Sequence, residues 1–244
     1  MDREGKAINT SDIDSSMLMD LRVDYAFKLF FATGNTHRLI SLLNAVFENK
    51  QIPRIISALT IANPALEKAA VEDKLSILDI RATLDDGTSI CIEMYLYDLT
   101  GLKQKLLRSW ARAYGEELES GQEYTELNNV ICIAFKNGYV TDESGMPIRK
   151  DHSLFHVMER DSHEVLLNDL ELHFINMEAF VKHCEEITET EATLDEFTKW
   201  LIFINHKEIK NKEILNCSSR VLILTTHRRL LHRDNAVPKT VAIK

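Results

Sequence analysis

The stretch SILDIRATLDDGTSICIEMYL, residues 76–96, decides how this chain is read. Two alternating runs, Ser76 to Leu84 and Thr88 to Leu96, flank Asp85-Asp86-Gly87. Alternation of this kind is the pattern of a strand whose two faces meet different surroundings. A three-residue hairpin loop commonly joins a type I turn to a last residue in the left-handed region, where glycine has no Cβ to clash. That rule sets the register. Leu84 faces Thr88, and five steps back along the first strand Asp79 falls opposite Glu93. Leu78, Ile80, Ala82 and Leu84 share one face with Ile90, Ile92, Met94 and Leu96, which must lie on the core. Ile77, Asp79, Arg81 and Thr83 share the other with Cys91, Glu93 and Tyr95, so the two acids point together and away from the main core.

Directly opposed strand residues have Cβ atoms about 4.5–5.5 Å apart, and like charges at that distance destabilise a hairpin. Something must compensate Asp79 and Glu93. A divalent cation such as Mg²⁺ suits hard carboxylate oxygens. Arg81, on the same face, is the competing explanation, and on a solvated strand the three would be a surface charge cluster.

Outward from the hairpin, residues 24–49 read as helix broken near Gly34-Asn35, with Phe27, Phe30, Phe31, Leu39, Leu42, Leu43, Val46 and Phe47 as its apolar stripe. Pro53 ends it, residues 55–61 read as a short strand, and 63–74 as a loop or short helix. Residues 99–119 return to helical period, with Leu99, Leu102, Leu106, Trp110 and Ala113 on one face and Lys103, Lys105, Arg108 and Arg112 elsewhere. Val130 to Phe135 is a continuous apolar run, the mark of a strand buried on both faces. Leu154 to Met158 and Leu170 to Asn176 read as strands, and Glu178 to Cys184 and Leu194 to Ile204 as helices. This order predicts an α/β (α+β) fold, a mixed sheet flanked by helices.

The net charge of −9 gives no broad field for nucleic acid, so any such binding needs local basic residues or a bound cation. Residues 206–244 carry nine Lys/Arg against three Asp/Glu and lose clear periodicity. They are expected to form a basic, poorly packed tail beyond a domain spanning 20–205, and residues 1–19 a disordered leader, with Met17 or Met19 an alternative start. Cys91, Cys132, Cys184 and Cys217 form no CxxC pair, which removes zinc-ribbon and disulfide-framework readings and fits reduced thiols in the cytoplasm. No apolar run approaches a membrane span, and HExxH, glycine-rich phosphate loop and GxSxG motifs are absent. His152 and His156 are four apart in a strand-like stretch, where that spacing makes no helical metal pair.

Leu78-Asp79-Ile80-Arg81, Asp85-Asp86-Gly87 and Ile90-Cys91-Ile92-Glu93-Met94 together resemble the PD-(D/E)xK nuclease-like transposases, also called the recombination-promoting nuclease family. Asp24-Tyr25-Ala26-Phe27-Lys28, Phe31 and Leu42-Leu43-Asn44 are similar to that family's opening helix. The resemblance covers roughly residues 20–205. It implies a restriction-endonuclease-like core and Mg²⁺- or Mn²⁺-dependent cleavage of DNA by a mobile-element nuclease. It implies Asp79, Glu93 and the Met94 carbonyl as metal ligands, and Asp24 as an acid completing the site. Lys28, Lys103, Lys105, Arg108 and Arg112 are candidates for phosphate contacts, which position DNA without reading its sequence. A homodimer is compatible with this reading. The family carries Gln two residues after the Glu, where many related nucleases have Lys, and this chain has Tyr95. A phenol there is a poor base at neutral pH. The departure implies weak activity, raised by Tyr95→Gln, or a DNA-binding or interaction protein that has lost catalysis.

Overall fold

The computed structural model describes residues 19–32, 36–62, 80–96, 100–117, 121–186 and 194–210. Its helices are α1 (Asp24–Ala32), α2 (His37–Asn49), α3 (Leu102–Glu116), α4 (Met177–Cys184) and α5 (Glu196–Ile204), with a 3₁₀ turn at Tyr124–Glu126. Its strands are β1 (Leu59–Ile61), β2 (Ile80–Leu84), β3 (Ser89–Tyr95), β4 (Val130–Lys136), β5 (His152–Met158) and β6 (Val165–Asn176). Outside the described residues lie most of the expected leader, the segment 63–74, the start of the hairpin including Asp79, Leu99, and residues 211–244.

The strands form one mixed sheet in the order β1-β2-β3-β4-β6-β5. β3, β4 and β6 run parallel at its centre, and β1, β2 and β5 are antiparallel additions. Parallel neighbours need a crossover, and between β3 and β4 that crossover contains α3. β4 is buried along its whole length, as its unbroken apolar run requires.

The hairpin forms in the register that the turn dictates. Ile80 pairs with Ile92, Arg81 with Cys91, Ala82 with Ile90 and Thr83 with Ser89. Gly87 has φ +87°, the left-handed conformation that favours glycine, and a Cβ there would also press the Asn128 side chain to shift. Leu84 N–H donates to Thr88 O at 2.9 Å to close the loop.

The sheet separates two cores. The larger packs α1, α2, α4 and α5 against Ile80, Ala82, Ile90, Ile92, Met94, Ile131, Ile133 and Phe135. Phe27, Phe30, Phe31, Trp200 and Phe203 form a chain of ring contacts through its centre. Side-chain caps start α4 and α5: Asn176 accepts from Ala179 N–H at 3.0 Å and Asp195 from Thr198 N–H at 2.7 Å. The smaller core packs Leu102, Leu106 and Ala113 of α3 against Cys91, Cys132, Ala134 and Phe174.

Four sequence expectations change. β5 begins at His152, and β6 runs from Val165, five residues earlier than read, because its first part is an exposed hairpin arm without a core face. The boundary at residue 205 is too early. His206 and Ile209 are buried, Ile209 belongs to the larger core, and Glu208 pairs with Arg22 at 2.7 Å. Met19, placed in the leader, packs against that core.

Within the larger core a polar chain links Asn49, His152, His173, Glu171 and Arg54. His152 Nδ1 lies 2.8 Å from Asn49 Oδ1, its Nε2 2.9 Å from His173 Nδ1, and Glu171 meets His173 at 3.4 Å and Arg54 at 3.2 Å. Burial, reinforced by His173 and Lys50, holds the His152 pKa down at about 2, and burial also lowers His173 and His206. In the unfolded chain these imidazoles protonate near pH 6.5, while the folded protein keeps them neutral. Their contribution is therefore complete above pH 6.5 and lost as pH falls toward the folded values. Each histidine costs about 1.4 kcal/mol per pH unit in that window. Urea titrations should show stability falling steeply between pH 6.5 and 5, and His152→Gln should flatten the slope. Ending the chain at Asn205 should lower the melting temperature by several degrees, because Ile209 leaves the core; an unchanged melt would return the boundary to 205.

Candidate metal and nuclease site

Glu93 stands on β3, on the face opposite the larger core, where the hairpin alternation predicts. At Glu93 that face is not solvated. α3 lies across it, and Glu93 is only 2% exposed. The C-terminal half of the helix is tied down. Near the turn, Arg81 meets Glu116 at 3.3 Å, and Ser89 Oγ and Asn128 hydrogen-bond Glu117. In the middle Trp110 Nε1–H donates to Val130 O at 3.0 Å, and Tyr114 O–H donates to Asp169 at 2.5 Å. The phenol, holding its proton against that carboxylate, has its pKa raised to about 12.

One helical turn of α3 serves Glu93. Ser109 Oγ donates to Oε1 at 3.0 Å, and Lys105 Nζ lies 3.1 Å from Oε2. Residues four apart share a helix face, which is why both reach one carboxylate. The ammonium is close enough to neutralise Glu93 but is not aligned as a donor, so Oε2 is buried without a hydrogen bond. The same ammonium sits 4.6 Å from the centroid of the Tyr95 ring, and the Tyr95 hydroxyl is likewise buried without a partner. Arg81 is spent on Glu116, so the compensating charge for Glu93 is Lys105.

The other site candidates are placed as follows. Met94 buries its side chain in the larger core. Tyr95 O accepts from Asn137 N–H on the β4 side at 3.2 Å, so strand alternation turns the Met94 carbonyl toward β2. Asp24 opens α1 and pairs with Lys28 at 2.6 Å; among the described residues no hydrogen bond or ion pair joins it to Glu93. Lys28 is buried, so a phosphate could reach it only after Asp24 gave way. Lys103 donates to the carbonyls of Thr141 and Asp142, and Arg112 pairs with Glu116 at 2.8 Å. Arg108 is exposed and makes no ion pair among the described residues.

Sequence reading missed Ser109 and Lys136. Ser109 is four residues from Lys105, a spacing that could have revealed it. Lys136, the register partner of Tyr95, is buried and donates to the carbonyls of Gly138 and Tyr139. These residues line the carboxyl ends of two parallel strands, where open α/β sheets usually place ligands.

Glu93 Oε2 is a hard carboxylate oxygen of the kind divalent cations take, with Lys105 Nζ 3.1 Å away as its counter-charge. Among the described residues no cluster of three His, Cys, Asp or Glu side chains could hold a metal, and Asp79, the second acid of the sequence reading, lies outside them. A family model described as PD-(D/E)XK nuclease family transposase matches residues 21–230. The match extends past residue 205, in keeping with the buried Ile209. Comparisons with curated proteins and with solved structures gave no match.

Ser109→Ala removes the hydrogen bond to Glu93 Oε1 and leaves a buried carboxylate served by Lys105 alone. Urea unfolding should show a loss of about 1–3 kcal/mol. The loss should shrink in a Glu93→Gln background, where no charge needs the hydroxyl; an equal loss in both backgrounds would mean that Ser109 stabilises α3 without acting on Glu93.

Proposed function

Because the chain belongs to the PD-(D/E)XK nuclease family transposases, we propose that it hydrolyses DNA phosphodiesters with a divalent cation held by Asp79, Glu93 and the Met94 carbonyl. The observation that carries this reading is Glu93: a carboxylate 2% exposed, with one oxygen fixed by Ser109 and the other lacking a hydrogen bond. Lys105 compensates the charge of that oxygen from 3.1 Å without a hydrogen bond, and a divalent cation would bond it directly. The Asp85-Asp86-Gly87 turn rule, read from the sequence, supports Asp79 as the second acid; Asp79 itself lies outside the described residues.

A cation held there, Mg²⁺ or Mn²⁺, would supply Lewis acidity toward the scissile phosphate and the attacking water. The residues of the chain do the rest. Ser109 holds the Glu93 carboxylate in one orientation. Asp24, at the start of α1, completes the acidic environment once Lys28 releases it. In the hydrolysis, the oxygen of water bonds to phosphorus, the phosphorus–oxygen bond to one sugar breaks, and that sugar oxygen leaves with a proton. Arg108, with Lys103 and Arg112 when displaced from their present partners, contacts flanking phosphates along α3. Among the described residues no helix is long and apolar enough to cross a membrane. The family description suggests the DNA of a mobile element as substrate.

Asp79→Asn and Glu93→Gln remove charge and keep shape. Calorimetric titration with Mn²⁺ should show losses on the order of 100-fold or more in affinity for each, as expected when a ligand itself is removed. Plasmid nicking in Mg²⁺ should disappear in both variants, and EDTA should abolish it in the wild type. Equal Mn²⁺ affinity in all three proteins would refute the site. Tight metal binding with no nicking by the wild type would favour the reading of a DNA-binding protein that has lost catalysis at Tyr95.

A further inference from the structure

Position 95 holds a phenol where the family places an amide, and the space in front of it holds an ammonium from another element. Lys105 reaches inward from the rim of α3, its side chain 44% exposed while Glu93 is buried. Its Nζ lies 3.1 Å from Glu93 Oε2, which lacks a hydrogen bond, and over the Tyr95 ring, 4.6 Å from its centre. The other basic side chains of α3 are turned elsewhere: Lys103 to loop carbonyls, Arg112 to Glu116, and Arg108 to solvent.

Resting on the nuclease reading above, we propose that Lys105 is a catalytic residue that takes over, from helix α3, the role of the missing side chain at position 95, donating from Nζ to a non-bridging oxygen of the scissile phosphate. Three features fit it for this. An ammonium has three donors and strong attraction for phosphate, whereas the Tyr95 hydroxyl offers one donor on a rigid ring. The electron-rich face of Tyr95 holds the cation in place without consuming a donor, which makes the tyrosine a positioning residue for the lysine. The helix beneath is fixed by Leu102 and Leu106 in the smaller core and by the Ser109–Glu93 hydrogen bond, so the ammonium is presented from a rigid element. While Glu93 has no cation, Lys105 neutralises it; once a cation takes Glu93, the ammonium is free to turn to the phosphate. The low activity expected from Tyr95 alone then does not follow.

Lys105→Met and Lys105→Gln test this in the full chain, beside Glu93→Gln and the double variant Lys105→Met/Tyr95→Gln, all checked for cooperative melting. Removing one donor to a transition-state oxygen costs roughly 100-fold or more in rate. Mg²⁺-dependent plasmid nicking should therefore fall about 100-fold in both lysine variants. Mn²⁺ affinity should be kept or tightened, because a competing cation is gone. Binding of a DNA duplex in Ca²⁺ should weaken several-fold, and the double variant should regain roughly tenfold of the lost rate, because an amide at position 95 then replaces the lysine. Nicking unchanged in Lys105→Met, with Glu93→Gln still inactive and deficient in Mn²⁺, overturns the role of Lys105 and leaves the metal site standing. The same holds if Lys105→Met loses Mn²⁺ binding, which would make the lysine a support for Glu93, or if the wild type binds Mn²⁺ through Glu93 yet nicks no DNA. A wild type that neither binds Mn²⁺ nor nicks overturns both readings.

Discussion

The arrangement turns on one buried charge. Glu93 sits between the sheet and α3 at 2% exposure, and a carboxylate taken out of water must find compensation close by. The fold answers from a single helical turn, with Ser109 on one oxygen and Lys105 facing the other. The ammonium's alignment leaves Oε2 without a hydrogen bond, so the compensation is electrostatic and incomplete. A site made only for stability would gain from an apolar pair of similar volume here, since buried ion pairs are often no better than well-packed hydrophobic residues. Keeping the charge under these conditions points to a task for it.

The rest of the structure delivers that carboxylate. The Asp85-Asp86-Gly87 turn fixes the register of β2 and β3, and the pleat then sends Ile80, Ile92 and Met94 into the larger core and Glu93 to the opposite side. Because β3 and β4 are parallel, the chain must cross over the sheet between them, and α3 is that crossing. It is held over the Glu93 face by the small core of Leu102, Leu106, Cys132 and Phe174 and by polar ties to β2 and to the segment before β4, Arg81–Glu116 and Asn128–Glu117. A slip of one residue in the hairpin would exchange the two faces and put Glu93 into the aromatic core of α1, α2 and α5.

Much of this was legible in the chain because it depends on local periods. The turn chemistry gave the register, alternation gave the core face, and the 3.6-residue period gave the buried side of α3. What local patterns could not give was the partner of Glu93. Lys105 looked like one of several basic residues on a helix, and only the parallel crossover, a contact distant in sequence, lays it on the carboxylate. The polar chain through His152 and His173 was hidden for the same reason: a strand histidine reads as polar, and burial comes from Phe47 and Phe197, which are remote in the chain. The exposed arm of β6 escaped because its apolar residues, Val165 to Leu167, face no core that would impose alternation. The segment after Asn205 was misjudged on composition: its basic surplus said nothing about Ile209, whose single side chain continues the larger core.

The central claim is that Glu93 binds metal and that Lys105 holds its place until the metal arrives. Anomalous diffraction from crystals soaked in Mn²⁺ tests it most directly. The account predicts one strong anomalous peak about 2.1–2.2 Å from Glu93 Oε2, shared with Asp79, and Lys105 Nζ moved off the carboxylate. Well-ordered density for Glu93 with no peak beside it, and Lys105 still in contact at saturating Mn²⁺, would contradict it.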